Sequence, residues 1–230
     1  MNINDIHNNI LIILDKEQQG FVTHDEIDRV LDISQMALFN TYFNNPKSAQ
    51  QGQTYWKSQR IDDSLSPFKE KFTFASGGAI SSTGVITLPA NFMNLLSLYT
   101  TVYNATLARN VYSAVQVLNE EELIERLESQ VIPVTSDDPI AIMNKNNQIQ
   151  LFPESAQSGG IYYLRRPVKP VFGYTQVGRV VTYNSGTSTQ LEWKQDDINN
   201  IIVGALSYLG VNLSANDIVE FAELKNGQGQ

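Results

Sequence analysis

"LDKEQQGFVTHDEI", Leu14–Ile27, decides how the N-terminal part of the chain folds. One reading is a calcium loop. Asp15 would hold its first position, Glu17 the third, Gln19 the fifth, Phe21 the seventh and Glu26 the twelfth, with Gly20 at the tight turn. The other is a plain helix–turn–helix. Gly20 then ends a first helix in a left-handed conformation. Thr23 and Glu26 form a capping box, each satisfying a backbone amide of the other. The ion reading has defects: a long Glu at position 3, a neutral Gln at position 5, and no second loop to pair with. Helix–turn–helix is the preferred reading, because it explains Gly20, Thr23 and Glu26 without an ion.

Outward from that turn, Ile3, Ile6, Ile10, Ile13 and Leu14 recur at helical spacing on one side. On the other, Ile27, Val30, Leu31, Leu38, Phe39, Tyr42 and Phe43 do the same. The apolar faces are broad for such short helices, so they must pack on the rest of the chain or on another subunit. Residues 68–115 change to strand and turn chemistry, with strands expected at 95–103 and within 109–118. Asn119 is placed to cap an acidic helix over 119–129. Residues 139–153 read as a hairpin turning at 144–147, 159–166 as a strand stopped by Pro167, and 179–193 as a hairpin tipped by Gly186. A helical stripe follows at Ile198, Ile201, Ile202, Ala205, Leu206 and Leu209, with Gly210 at C′ and a last helix capped by Ser214. The expected fold is α+β: N-terminal and C-terminal helices packed with a central antiparallel β-rich region. Its expected parts are 1–66, helical; 67–193, β-rich with one short helix; and 194–230, helices and a loose tail packing with the first.

Composition narrows the function. At 230 residues and 42% hydrophobic content, the chain can bury a sizeable core. A formal net charge of −8 argues against coating nucleic acid by phosphate neutralisation, but not against DNA passing nearby. Without cysteine there is no disulfide, thiolate metal site or cysteine nucleophile. The first residues lack the basic region of a signal peptide, and "ILIIL" is too short to span a membrane. A soluble protein folded in a cytoplasm is expected.

Catalytic constellations are sparse. HExxH, P-loop and GxSxG patterns do not occur. His7 lies beside Asn8 and Asn9, His24 inside the capping box, and both read as solvated. Asp196 and Asp197 read as the start of a helix, where negative charge is favoured. No catalytic, cofactor-binding or metal residues are assigned, and no cofactor is expected. Two charged features remain. Glu120, Glu121, Glu122, Glu125 and Glu128 make one helix acidic: either a solvated face or a surface past which a duplex slides. Arg165 and Arg166 are either solvent-facing or a clamp for carboxylates across an interface.

Taken in order, several segments resemble a known group. "TGVITLPANFMNLLSLY" (83–99), "IYYLRRPVKP" (161–170) and "LEW" followed by "DDINNIIVGALSYLGVNL" (191–213) resemble tailed-bacteriophage neck proteins. The N-terminal stretch through Phe43 is similar to openings of structural proteins in crAss-like phages. The resemblance implies a head-to-tail connector, or adaptor, protein of the virion, made in the host cytoplasm. Such proteins form a ring, commonly twelve-fold, below the portal. The ring extends the DNA channel and offers the tail a platform. The implied partners are further copies of the chain, the portal, other neck and tail ring proteins, and duplex DNA passing without sequence-specific contact. No catalytic residue carries over, and no membrane partner is implied. On this reading the terminal helices and the tail after Lys225 contact the portal or a neighbour, and Phe221 and Leu224 serve an interface or a channel. Glu121, Glu122, Glu125 and Glu128, and the pair Arg165 and Arg166, serve a channel or an interface. The alternatives are a carbohydrate- or peptide-binding module, a more distal tail component, or an enzyme using an acidic pair.

Overall fold

The computed structural model describes residues 1–16, 22–44, 62–75, 80–104, 108–145, 147–154, 158–178 and 180–210. The described helices of more than one turn are α1 (Ile3–Lys16), α2 (His24–Asn44), α3 (Glu120–Glu128) and α4 (Gln195–Tyr208). The strands are β1 (Lys69–Ala75), β2 (Val85–Thr87), β3 (Phe92–Asn104), β4 (Arg109–Ala114), β5 (Gln116–Leu118), β6 (Ile140–Asn144), β7 (Gln148–Phe152), β8 (Ser158–Arg165), β9 (Tyr174–Val177) and β10 (Val180–Tyr183). The fold is α+β. It divides into a helical unit, Met1–Pro67 with Pro167–Gln230, and a β unit, Phe68–Arg166.

In the helical unit, Ile3, Ile6, Ile10 and Leu14 form the buried stripe of α1. Each contributes roughly 2 kcal/mol of transfer free energy. Thr23 starts α2 as the capping box requires. Its N–H and hydroxyl both donate to Glu26 Oε2 (2.8 Å each), and the Glu26 N–H donates to Thr23 Oγ1 (3.3 Å). The cap's backbone bond holds the Glu26 carboxyl below its ordinary range. Both α1 and α2 pack on α4, whose Ile198, Ile201, Ile202, Ala205 and Leu206 are buried. The α2–α4 approach is close because Gly204 has no side chain: a Cβ there would lie 2.3 Å from Ser34 Oγ. The Ser34 hydroxyl donates to the Ile201 carbonyl (2.7 Å). Gly210, φ +87°, follows the last turn of α4 in the left-handed conformation that suits C′.

The β unit is two four-stranded sheets, ordered β1-β8-β3-β4 and β2-β7-β6-β5. All pairings are antiparallel except β5–β6, which α3 connects. The two sheets share one core: Phe74, Leu98, Ile161 and Tyr163 from the first, Ile86, Ala141, Ile149 and Leu151 from the second. The unit is therefore a sandwich, and each sheet has one inner and one outer face.

Two expectations are corrected. Gly186 does not tip a hairpin; it lies in a 3-10 turn at Ser185–Thr187, where its N–H donates to Asn184 Oδ1 (3.0 Å). The hairpin is instead β9–β10, turning at Gly178 with φ +65°. Residues 167–193, expected with the β-rich region, fall in the helical unit. There Phe172 stacks on His7 and His24, and Trp193 Nε1 donates to Gln35 (3.3 Å).

Candidate functional surfaces

Alternation along β1, β8, β3 and β4 sends Phe74, Leu98, Ile161 and Tyr163 into the core. The opposite, outward positions carry Tyr99, Tyr103, Tyr112 and Tyr162 with Lys69 and Lys71. Tyr112 is 69% exposed. The rings are close: Tyr99 to Tyr112 is 5.6 Å between centroids and Tyr99 to Tyr162 is 6.0 Å. Lys71 Nζ lies 5.5 Å from the centroids of both Tyr99 and Tyr162. Its bond to the Tyr99 hydroxyl, with Tyr162 beside it, holds the ammonium above its ordinary range. Tyr99 lies down against β8 because residue 160 is glycine. A Cβ there would meet the Tyr99 hydroxyl at 2.4 Å and a ring carbon at 2.9 Å. The outcome is an open aromatic face whose only charged outward residues, among those described, are two lysines.

Below the outer face, at the rim of the core, Glu70 organises a polar knot. It accepts from the Tyr163 hydroxyl (2.6 Å) and pairs with Arg165 Nε (2.9 Å). Burial first, and then the Glu70 bond, push the Tyr163 phenol up to about 12. Arg165 also lies over the Phe68 ring (5.6 Å). Its guanidinium is thus held within the β unit, whereas Arg166 is exposed.

The second surface is α3. Asn119 caps it as expected: its side chain accepts from the Glu122 N–H (2.8 Å), and Glu122 returns the bond to the Asn119 N–H (3.2 Å). The helix packs against β6. On β6, Ala141 faces the sandwich core, so the buried Ile140 and Ile142 face the other way. No residue of α3 is buried; Leu123 and Arg126 are half-buried. Arg126 is held by the Ile132 carbonyl and the Asp138 carboxylate. Outside remain Glu121, Glu122, Glu125 and Glu128, with Ile124 at 57% exposure, Leu127, Ile132, and Val131 at 90%. Placed over the outer side of the second sheet, this surface and the tyrosine face of the first point in opposite directions.

The helical unit treats its polar residues differently. His7, expected to be solvated, is fully buried. Its Nε2 lies 3.0 Å from Asp28 Oδ1, and its Nδ1 lies 3.1 Å from His24 Nδ1. The Phe172 N–H donates to both Asp28 oxygens (3.1 and 2.9 Å). If His7 gives its Nε2 proton to Asp28, its Nδ1 accepts, and His24 must carry its own proton on Nδ1. His24, half-buried, is held below its ordinary range by burial and then by His7. Both imidazoles stack on Phe172, at 4.5 and 4.2 Å. A signal for His7 existed: it sits four residues after Ile3 and three before Ile10, inside the apolar stripe. Asp197 is buried too, accepting from the Tyr42 hydroxyl (2.6 Å).

Of the calcium-loop residues, Glu17, Gln19, Gly20 and Phe21 lie outside the described residues, and with Gly20 the expected end of the first helix. Asp15 is exposed and Glu26 is engaged by Thr23. Among the described residues no three carboxylates or histidines gather as a metal site. Phe221 and Leu224 lie outside the described residues, as does the helix expected after Ser214. No helix of the described residues is long and apolar enough to cross a membrane. No known protein family matches the chain, and no curated protein matches it.

Proposed function

We propose that the chain is the subunit of a head-to-tail connector ring in a tailed-phage virion. It extends the portal's DNA channel and gives the tail a platform. The observation that carries this reading is the pair of unlike exposed surfaces on opposite sides of the β unit: a tyrosine–lysine face and an acidic, apolar helix. A ring is closed by head-to-tail contacts, and each such contact needs two different surfaces on every subunit. A monomer that keeps Val131, Ile124 and Tyr112 in water has apolar area that a neighbour can cover. In the helical unit, Val177 and Val180 of β9–β10 are exposed as well. A net charge of −8 lets a duplex pass without adhering.

The test is the native mass of the full chain, alone and mixed with the portal of the same phage. A ring-sized species, alone or on the portal, is the expected result. A protein that stays at 25.7 kDa in both samples would contradict it. The same tyrosine face favours a second reading, a carbohydrate- or peptide-binding module. That reading requires a monomer whose tyrosine fluorescence responds to an oligosaccharide or an extended peptide.

A further inference from the structure

We infer that the tyrosine–lysine face of one copy receives helix α3, with the segment through Ile132, from the next copy. The inference rests on the ring reading and assigns its contact.

Three observations carry it. First, the charges are complementary and segregated. The outward positions of β1, β8, β3 and β4 hold no carboxylate, and Lys71 stands among their tyrosines, in a chain with an acidic excess. Helix α3 exposes five carboxylates, Glu120, Glu121, Glu122, Glu125 and Glu128, and its one arginine is already taken by Asp138. Second, the apolar parts match in kind. Ile124 and Leu127, three residues apart, share one side of α3, and Glu121, Glu125 and Glu128 flank that stripe. The rings of Tyr99, Tyr112 and Tyr162 offer a broad apolar floor, and their hydroxyls are donors suited to carboxylates. Third, the two surfaces face opposite ways on one sandwich, so that neither can satisfy the other within one chain.

The exposed apolar residues also decide between the two roles open to the acidic helix. A wall past which DNA slides needs charge and no apolar stripe, whereas a subunit contact needs both. Glu121, Glu125 and Glu128 are therefore contact residues, and Lys71 is their counter-charge. Tyr99, held down by Gly160, is a preorganised part of the floor.

Two measurements on the full-length chain test this. In the first, Lys71→Glu and the double change Glu121→Lys with Glu125→Lys are each compared with wild type in assembly, with circular dichroism to show that all fold. Each variant should weaken subunit association roughly tenfold or more, and mixing the two variants should restore it. Assembly of both variants at wild-type concentrations would overturn the inference while leaving the ring intact. The second uses the absence of cysteine from the chain. Tyr112→Cys mixed with Leu127→Cys should form a disulfide-linked pair faster than Tyr112→Cys mixed with the control Ser185→Cys. Equal rates would overturn the contact. A wild-type chain that forms no ring, with or without portal, overturns the ring reading instead, and the cross-linking rates then judge the contact on their own.

Discussion

The helical unit hides its polar chemistry, and the β unit displays its apolar chemistry. Asp28, His7, Gln35 and Asp197 are buried, and each has partners within the helical unit. Tyr112, Ile124, Leu127 and Val131 are exposed and find no cover in the β unit. The difference separates a closed polar cluster inside the helical unit from open faces on the β unit, although Val177, Val180 and Tyr208 of the helical unit are exposed too. A buried polar group left unpaired costs free energy, so a cluster in which the groups answer one another is complete in the single chain. Large apolar side chains kept in water are incomplete until something binds them.

The largest effect should come from breaking the closed cluster. Asp28→Ala strips the acceptor from His7 and from the Phe172 N–H and should cost roughly 3 kcal/mol in chemical denaturation of the full chain. Stability within experimental error of wild type would mean that the cluster does not lock the helical unit. In the β unit, Gly160→Ala forces the Tyr99 ring off β8 and should cost about 1–3 kcal/mol. It should also weaken assembly, which a change in the core alone would not do.

pH sharpens the contrast. His24 has a folded pKa below its ordinary value of 6.5. The unfolded chain therefore takes up the proton first, and the folded state is disfavoured as pH falls below about 6.5. The stability linked to His24 is fully present above that value and is lost as pH drops towards the folded pKa. Thermal melts of wild type from about pH 8 to about pH 5, on either side of the ordinary value, should show this slope. His24→Gln should flatten it. An unchanged slope in that variant would remove His24 as the cause.

Smaller effects follow. Thr100 Oγ1 is buried in β3 and has no hydrogen-bond partner among the described residues, so Thr100→Val should stabilise by about 1 kcal/mol. Tyr112→Ser should change monomer stability by less than about 0.5 kcal/mol yet impair assembly. A loss of monomer stability from Tyr112→Ser would show that the tyrosine face is part of the fold, not of a contact.

What could be read from the residues was local. The Thr23–Glu26 capping box, the Asn119 N-cap, the β6–β7 hairpin and Gly210 after α4 each depend on neighbours within a few positions. Their side chains specify the backbone directly. What escaped was distant. The His7 cluster joins α1, α2 and Phe172, whose Asp28 contact spans 144 positions. Two asparagines beside His7 looked like solvent, although the stripe around it argued for the interior. The β9–β10 hairpin was misplaced because "NSGTST" carries a stronger turn signal than the residues around Gly178. Pro167 marked a boundary, but no local signal shows that the chain returns there to its first helices. The meeting of Tyr99, Tyr112 and Tyr162 depends on the register of three strands, which no single segment specifies.

The central claim is that the β unit is completed by another copy through two unlike faces. Hydrogen exchange of the wild-type chain, free and in the assembled state, tests it most directly. New protection should arise in 120–132 and along β4 and β8, while the buried cluster of His7 and Asp28 on α1 and α2 changes little. Protection gained in the helical unit with none in 120–132 or β4 would contradict the account.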